Sequence, residues 1–240
     1  MWKAAARCPR APLRPSGTRP ALCAILPRLD SKLDEREFVV RFVTRVNREI
    51  GGAYVFSCGK NMGVFKAVGY PEDVGEFYRL EEYEGYAWTA HGRYPTNTPG
   101  WWGGAHPFSI LDYSVVHNGE ISSYDANRRF IEMYGYNCSL LTDTEVITYI
   151  IDFLVRRKGL TLEEAAGVIA APFWSTIEQM PEAQRERLAY LRETFASLLI
   201  TGPFSILLGF TGGMMALNDR LKLRSMVCAE KGEAVYFASE

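Results

Sequence analysis

The residues best placed to do chemistry in this chain fall between positions 91 and 145. All three histidines, His91, His106 and His117, lie there, separated by 15 and 11 residues. Those spacings match no helical metal-ligand pair, and no acid or cysteine completes a ligand set, so metal binding is not the expectation. Each histidine reads either as a hydrogen-bonded structural side chain or as part of a pocket. His117 is followed by Asn118-Gly119-Glu120. Asn-Gly is the commonest signature of a tight hairpin turn. It is also a pair of donors, a side-chain amide and a backbone N–H, able to face an oxygen that becomes negative during acyl transfer. Preorganised donors of that kind contribute about 3–4 kcal/mol each to a transition state. Arg93 can clamp a carboxylate through two parallel hydrogen bonds. Asp143 can hold an ammonium or serve as an ordinary acidic residue of a first helical turn. A cation, an anion and a donor pair together suit a zwitterionic amino acid that carries a second carbonyl.

These residues need elements to position them. Thr142-Asp143-Thr144-Glu145 has the form of a capping box, with Thr142 as N-cap and Glu145 reaching back. Val146, Ile147, Ile150, Phe153 and Leu154 then supply the buried face of a helix over 143–157. Asp143 sits where the helix dipole favours its ionised form by roughly 0.3–1 kcal/mol. Further helices are expected near 34–50, 124–134, 162–170 and 181–198, from the recurrence of apolar residues at helical spacing. Runs at 53–58, 64–68, 86–91, 113–117, 204–210, 214–217, 225–228 and 234–238 read as strands. The loop 92–108 carries two adjacent tryptophans and Pro95, Pro99 and Pro107. Strands at both ends with helices grouped between them predict an α+β layered domain.

The 240 residues are 48% apolar, enough for one good core. A net charge of −1 gives no electrostatic case for nucleic acid or an anionic membrane. Residues 1–28 carry six basic side chains and no acid, which leaves the rest of the chain at −7. With Pro at 9, 12, 15, 20 and 27, residues 1–33 read as a basic, disordered leader ahead of a domain over 34–240. Five cysteines, at 8, 23, 58, 138 and 228, form no CxxC and no evident disulfide framework, so a cytoplasmic location is expected. Residues 194–218 carry no charge, but Gly202, Pro203, Gly209, Gly212 and Gly213 break them into a β-hairpin, not a membrane helix.

Several ordered blocks carry a resemblance. They include Gly59-Lys60-Asn61-Met62-Gly63-Val64-Phe65-Lys66, His91-Gly92-Arg93-Tyr94-Pro95-Thr96-Asn97 and Trp101-Trp102-Gly103-Gly104-Ala105-His106-Pro107-Phe108. Val116-His117-Asn118-Gly119-Glu120-Ile121, Thr142-Asp143-Thr144-Glu145 and Leu217-Asn218-Asp219-Arg220 continue them. In these the chain resembles class II glutamine amidotransferase domains, most closely the glutamate synthase large-subunit type. The resemblance implies a four-layer αββα N-terminal-nucleophile sandwich with antiparallel sheets. It implies hydrolysis of L-glutamine and transfer of its ammonia to a synthase. By position, Arg93 would hold the glutamine α-carboxylate and Asp143 its α-ammonium. Asn118 and Gly119 would form the oxyanion hole, and Thr96 and His106 would line the pocket. No flavin or iron–sulfur segment is evident, so no cofactor is expected in this domain and the synthase would be a separate chain.

One departure bears on activity. The family nucleophile is a mature N-terminal cysteine followed by Gly and an apolar strand, because its free α-amine is the base. Here Cys8 precedes Pro9, and Cys23 precedes Ala24-Ile25-Leu26 before Pro27. Cys23, released by proteolysis, is one candidate nucleophile. The other expectation is that the first strand or strands, with the nucleophile, are missing from this sequence. The alternative to a glutaminase is then an inactive or truncated member that keeps a glutamine pocket and acts as a binding subunit.

Overall fold

A computed structural model describes residues 34–94 and 100–239. The expected leader, with Cys23, lies outside those residues, and so does Thr96. The described chain is a mixture of helices and antiparallel sheet.

Helix α1 (Glu35–Glu49) starts where the Asp34 carboxylate accepts from the Glu37 amide at 3.1 Å, a standard N-cap. It stops ahead of Gly51-Gly52, where Gly52 takes a φ of +85°. A short helix α2 (Pro71–Tyr78) has proline in its first turn, a helix start not anticipated from the sequence. The sheet that organises the molecule is β1-β2-β3-β4, all antiparallel: Phe108–Ile110, Tyr113–Gly119, Phe204–Phe210 and Gly213–Asn218. The β2–β3 ladder runs unbroken from Tyr113 opposite Phe210 to Gly119 opposite Phe204. The uncharged stretch 194–218 is therefore largely the β3–β4 hairpin. No helix among the described residues is long and apolar enough to cross a membrane. A separate hairpin, β5 (Val227–Lys231) with β6 (Ala234–Ala238), closes the described chain.

Between β2 and β3 the chain forms α3 (Tyr124–Met133), α4 (Asp143–Asp152), α5 (Leu162–Ile169), α6 (Trp174–Ile177) and α7 (Glu182–Thr194). Helix α4 lies across β1 and β2 and buries Val146, Ile147, Ile150 and Ile151 against Val115, Ile206 and Leu208. Each such side chain stabilises the fold by about 1.5–3 kcal/mol. The expected helix 143–157 is in fact α4 followed by one π-helical turn, Phe153–Arg157. That turn carries Arg156 to a buried ionic knot. Asp152, fully buried, accepts from Tyr136 Oη at 2.5 Å and from two nitrogens of Arg156 at 2.7 Å. Arg156 also donates to Glu37 at 2.6 Å, which ties α1 to the end of α4.

Three expected strands require correction. Residues 53–58, 64–68 and 86–91 form no strand and belong to no ladder, with bends at Val68 and Tyr86. Side chains satisfy part of their backbone instead. The Asn47 amide bonds both the N–H and the carbonyl of Val55, at 2.6 and 2.9 Å. Ser109 Oγ donates to the Phe56 carbonyl, Cys58 Sγ accepts from Leu111 N–H, and Asp112 Oδ1 accepts from the amides of Lys60 and Asn61. On the opposite sheet face, Thr89 lies against Ser114 and Gly209. An alternating pattern specifies extended backbone, while a strand also needs a neighbour at ladder spacing.

Candidate functional site

The C-terminal end of β2 is the natural starting point. Asn118 and Gly119 pair with Ser205 and Phe204, so they are strand residues and the hairpin-turn reading is excluded. Gly119 has φ +151°, and a Cβ there would sit 2.1 Å from the Pro203 carbonyl oxygen, so only glycine fits. Glu120 N–H donates to the Pro203 carbonyl at 3.1 Å. Antiparallel alternation then turns the Gly119 N–H away from β3. It faces the edge of β2 that β1, paired only with residues 113–115, leaves without a strand.

Side chains alternate along β2, with His117 toward α4 and Asn118 toward the other face. There Asn118 Nδ2 donates to Ser239 Oγ at 2.9 Å. The Ser239 carbonyl accepts from Ser225 Oγ, the Ser225 carbonyl from Ser205 Oγ, and Ser205 Oγ from Asn218 Nδ2. A polar row thus crosses three strands and is capped by the chain on either side of the β5–β6 hairpin. Asp219, beside it, accepts the amides of Phe204, Leu221, Leu223 and Arg224. Burial alone would raise its carboxyl, but those donors hold it below the usual range.

On the α4 face, Thr142 caps the helix by accepting from the Glu145 amide at 3.2 Å. The expected capping box is only half formed. The Glu145 carboxylate passes the N-cap and takes the amides of Ser139 and Leu140 at 3.1 and 2.8 Å. A complete box stands instead at Thr161 and Glu164, at the start of α5. From the first turn of α4, Asp143 Oδ1 lies 3.5 Å from His117 Nδ1 and 3.3 Å from Thr144 Oγ1. Burial works to raise the Asp143 carboxyl, yet the hydrogen bond and charge of His117, with Thr144, bring it below the ordinary aspartate value. Thr144 Oγ1 is 2.9 Å from His106 Nε2, and His106 stacks on His91 with ring centroids 4.2 Å apart. Desolvation, then the charges of His91, His117, Lys66 and Arg93, push the His106 imidazole well below its usual pKa, so it is neutral.

Arg93 approaches from the aromatic loop. A Cβ on Gly104 would stand 2.6 Å from its Nη1, so glycine makes room for the guanidinium. Lys66, 5% exposed, donates to the Gly103 carbonyl at 3.3 Å and lies over the Phe108 ring. Lys66 and Glu145 both line a cavity of about 50 Å3 between α1, residues 54–58, β1 and α4. Burial pulls the Lys66 amine down to about 8 and pushes the Glu145 carboxyl up to about 7.

Thr144 joins His106 to Asp143, and Arg93 stands beside Gly104, where its charge acts on His106. It holds the Asn118 amide on the other sheet face, one residue from the Gly119 N–H. Thr96 and Cys23 lie outside the described residues. Among the described cysteines, burial pushes the thiol of Cys58 up and that of Cys138 up to about 12, away from the thiolate a nucleophile requires. No group of three or more metal-binding side chains converges among the described residues. Reasoning from sequence assigned no role to Thr144 or Lys66. Both stood inside the quoted blocks, but nothing local signals that they meet residues 37 or 38 positions away.

The chain matches the model for class-II glutamine amidotransferases over residues 26–240 and belongs to that family. An uncharacterized protein of Archaeoglobus fulgidus is 51% identical over 212 residues, 88% of this chain and 56% of that protein. A putative glutamine amidotransferase of Methanothermobacter thermautotrophicus is 33% identical over 140 residues, 57% of this chain and 36% of its own length. An amidophosphoribosyltransferase of Methanocaldococcus jannaschii is 25% identical over 194 residues, 79% of this chain and 35% of that protein. The chain thus spans little more than half of the first of these relatives, and about a third of the others.

Proposed function

We propose that residues 34–240 form a glutaminase domain that binds L-glutamine and releases its side-chain nitrogen as ammonia to an acceptor, a glutamate synthase-like partner. In this reading Arg93 clamps the α-carboxylate and Asp143 the α-ammonium, with Thr96 and His106 lining the pocket. The carboxamide carbon is attacked by a cysteine thiolate; the carbonyl oxygen becomes an oxyanion facing Asn118 Nδ2 and the Gly119 N–H. Ammonia leaves, and water hydrolyses the thioester to glutamate. The Gly119 amide stands at the end of β2 that β1 leaves unpaired, with the polar row under Asn118 beside it. The face-to-face approach of residues 86–91 to the sheet supports a second layer, as in a four-layer αββα sandwich.

One observation carries the reading. A guanidinium and an ionised carboxylate bear on the same neutral histidine, His106, with Asp143 linked to it through Thr144. A guanidinium and a carboxylate on either side of His106 suit the two charged ends of a free amino acid. Calorimetry with L-glutamine tests this directly. Arg93→Ala and Asp143→Ala should each weaken binding at least tenfold, about the loss of one charge-assisted bond. Wild-type affinity in both variants would falsify the assignment. Where turnover is measured, Asn118→Ala should lower it roughly 10²–10³-fold with little change in KM.

A further inference from the structure

His117 is one of the least explained side chains of the site. It is 2% exposed, and its Nε2 is buried with no hydrogen-bond partner among the described residues. An unmet buried acceptor or donor costs about 1–3 kcal/mol, so a fold that keeps one calls for a reason. The geometry supplies two contacts. At one end of the ring, Nδ1 lies 3.5 Å from Asp143 Oδ1 and 3.4 Å from Thr144 Oγ1. At the other end, Nε2 faces Gly119 so closely that a Cβ there would be 3.0 Å from it.

The proton arrangement follows from what each group can do. An ionised carboxylate only accepts, so the Thr144 hydroxyl and His117 Nδ1–H both donate to Asp143. Thr144 Oγ1 then has a lone pair for His106 Nε2–H. His117 thus turns its Nδ1 to the carboxylate and its Nε2 to Gly119. A rigid ring therefore spans the distance from the carboxylate to the glycine whose N–H points at the open edge of β2.

We propose that His117 is a positioning residue that couples occupancy of Asp143 to the placement of the Gly119 N–H. The inference rests on the glutamine reading above. When a substrate ammonium takes part of the Asp143 charge, the carboxylate turns and its bond to Nδ1 adjusts. The ring transmits that change to Gly119, which β2 pairing and the Pro203 carbonyl hold against it. Asp143 thereby grips one end of the amino acid and sets the donor for the other.

The test uses the full chain labelled with 15N-glycine, titrated with L-glutamine and with L-alanine. L-Alanine has both charged ends but no carboxamide that could reach Gly119. In the wild type, the Gly119 amide resonance should shift with both amino acids. An unmoved Gly119 resonance in the alanine complex overturns the coupling. Two variants separate the ends of the ring. His117→Asn keeps a donor at the Nδ1 position but does not reach Gly119; it should bind L-glutamine within about threefold of wild type and lose the alanine-induced shift. His117→Gln loses the Nδ1 donor and should bind about tenfold more weakly. A retained shift in the first variant, or wild-type affinity in the second, sinks the inference and leaves the glutamine reading intact. A wild-type protein that binds neither amino acid overturns both.

Discussion

Two parts of this molecule hold their backbone in different ways. From Tyr113 to Asn218, strands β2, β3 and β4 bond each other rung by rung, with α4 pressed against one face. From Ala53 to Val64, chain of similar apolar character is pinned by single side chains, chiefly Asn47, Ser57, Ser109 and Asp112. A ladder shares its load over many bonds and is lost only as a unit. A set of staples is lost one at a time. The candidate site lies where the two meet, with Asp143, His117 and Gly119 on the laddered part and Lys66, His91 and Arg93 on the chain that runs on from the stapled part. In the proposed reading the laddered part sets the donors and the chain beyond the stapled part brings the clamp.

That contrast can be broken by mutation. The largest effect is expected for Gly119→Ala, whose methyl group would strike the Pro203 carbonyl in a left-sided backbone conformation. A loss of about 3 kcal/mol or more is expected, read as a drop in the denaturant midpoint of the whole protein. A variant as stable as wild type would mean that the end of the ladder yields easily.

Glu145 gives a pH-dependent test of how α4 joins the two parts. Its carboxyl is raised from 4.5 to about 7 in the folded protein, where burial opposes the charged form. The folded state thus holds a proton that the unfolded state releases. Its contribution is fully present below pH 4.5 and is lost as pH rises through about 7. Glu145→Gln should remove that part of the slope, about 3 kcal/mol across the window. Denaturant midpoints from pH 4.5 to 8, taken as a difference between the two proteins, measure it; parallel curves would rule Glu145 out as the group responsible.

The smallest and most local effect is expected for Asn47→Ala. It removes both bonds to Val55, worth about 1–2 kcal/mol together. Hydrogen exchange should quicken over residues 53–58, while the amides of β2 and β3 keep their protection. Equal acceleration in both regions would show that the stapled chain and the ladder open as one unit.

Much of the laddered part was legible in the sequence. Phe204–Phe210 and Ala234–Ala238 were read with the bounds they have, and α3, α4, α5 and α7 lie within the expected spans. Their signals are local: apolar period, the Thr142 cap, and glycine at the turn of β3–β4. The stapled part misled the same rules, because alternating residues at 53–58 specify an extended chain without saying what lies beside it. The strand β1 went unread where the loop 92–108 ends, since a three-residue strand is defined by its partner more than by its own pattern.

The sequence by itself determined the capped helix that carries Asp143 and the strand over 113–117, and left Asn118-Gly119 open between a tight turn and a donor pair. Only the tertiary structure decided that the rings of His91 and His106 stack, that Thr144 bridges His106 to Asp143, and that Glu145 bonds Ser139 and Leu140 in place of its own cap. It also decided that Asn118 rests on Ser239, 121 residues away. Period and capping are written within a few neighbouring residues. Meetings between side chains far apart in sequence are settled by how helices and strands pack, and short-range spacing holds no record of that.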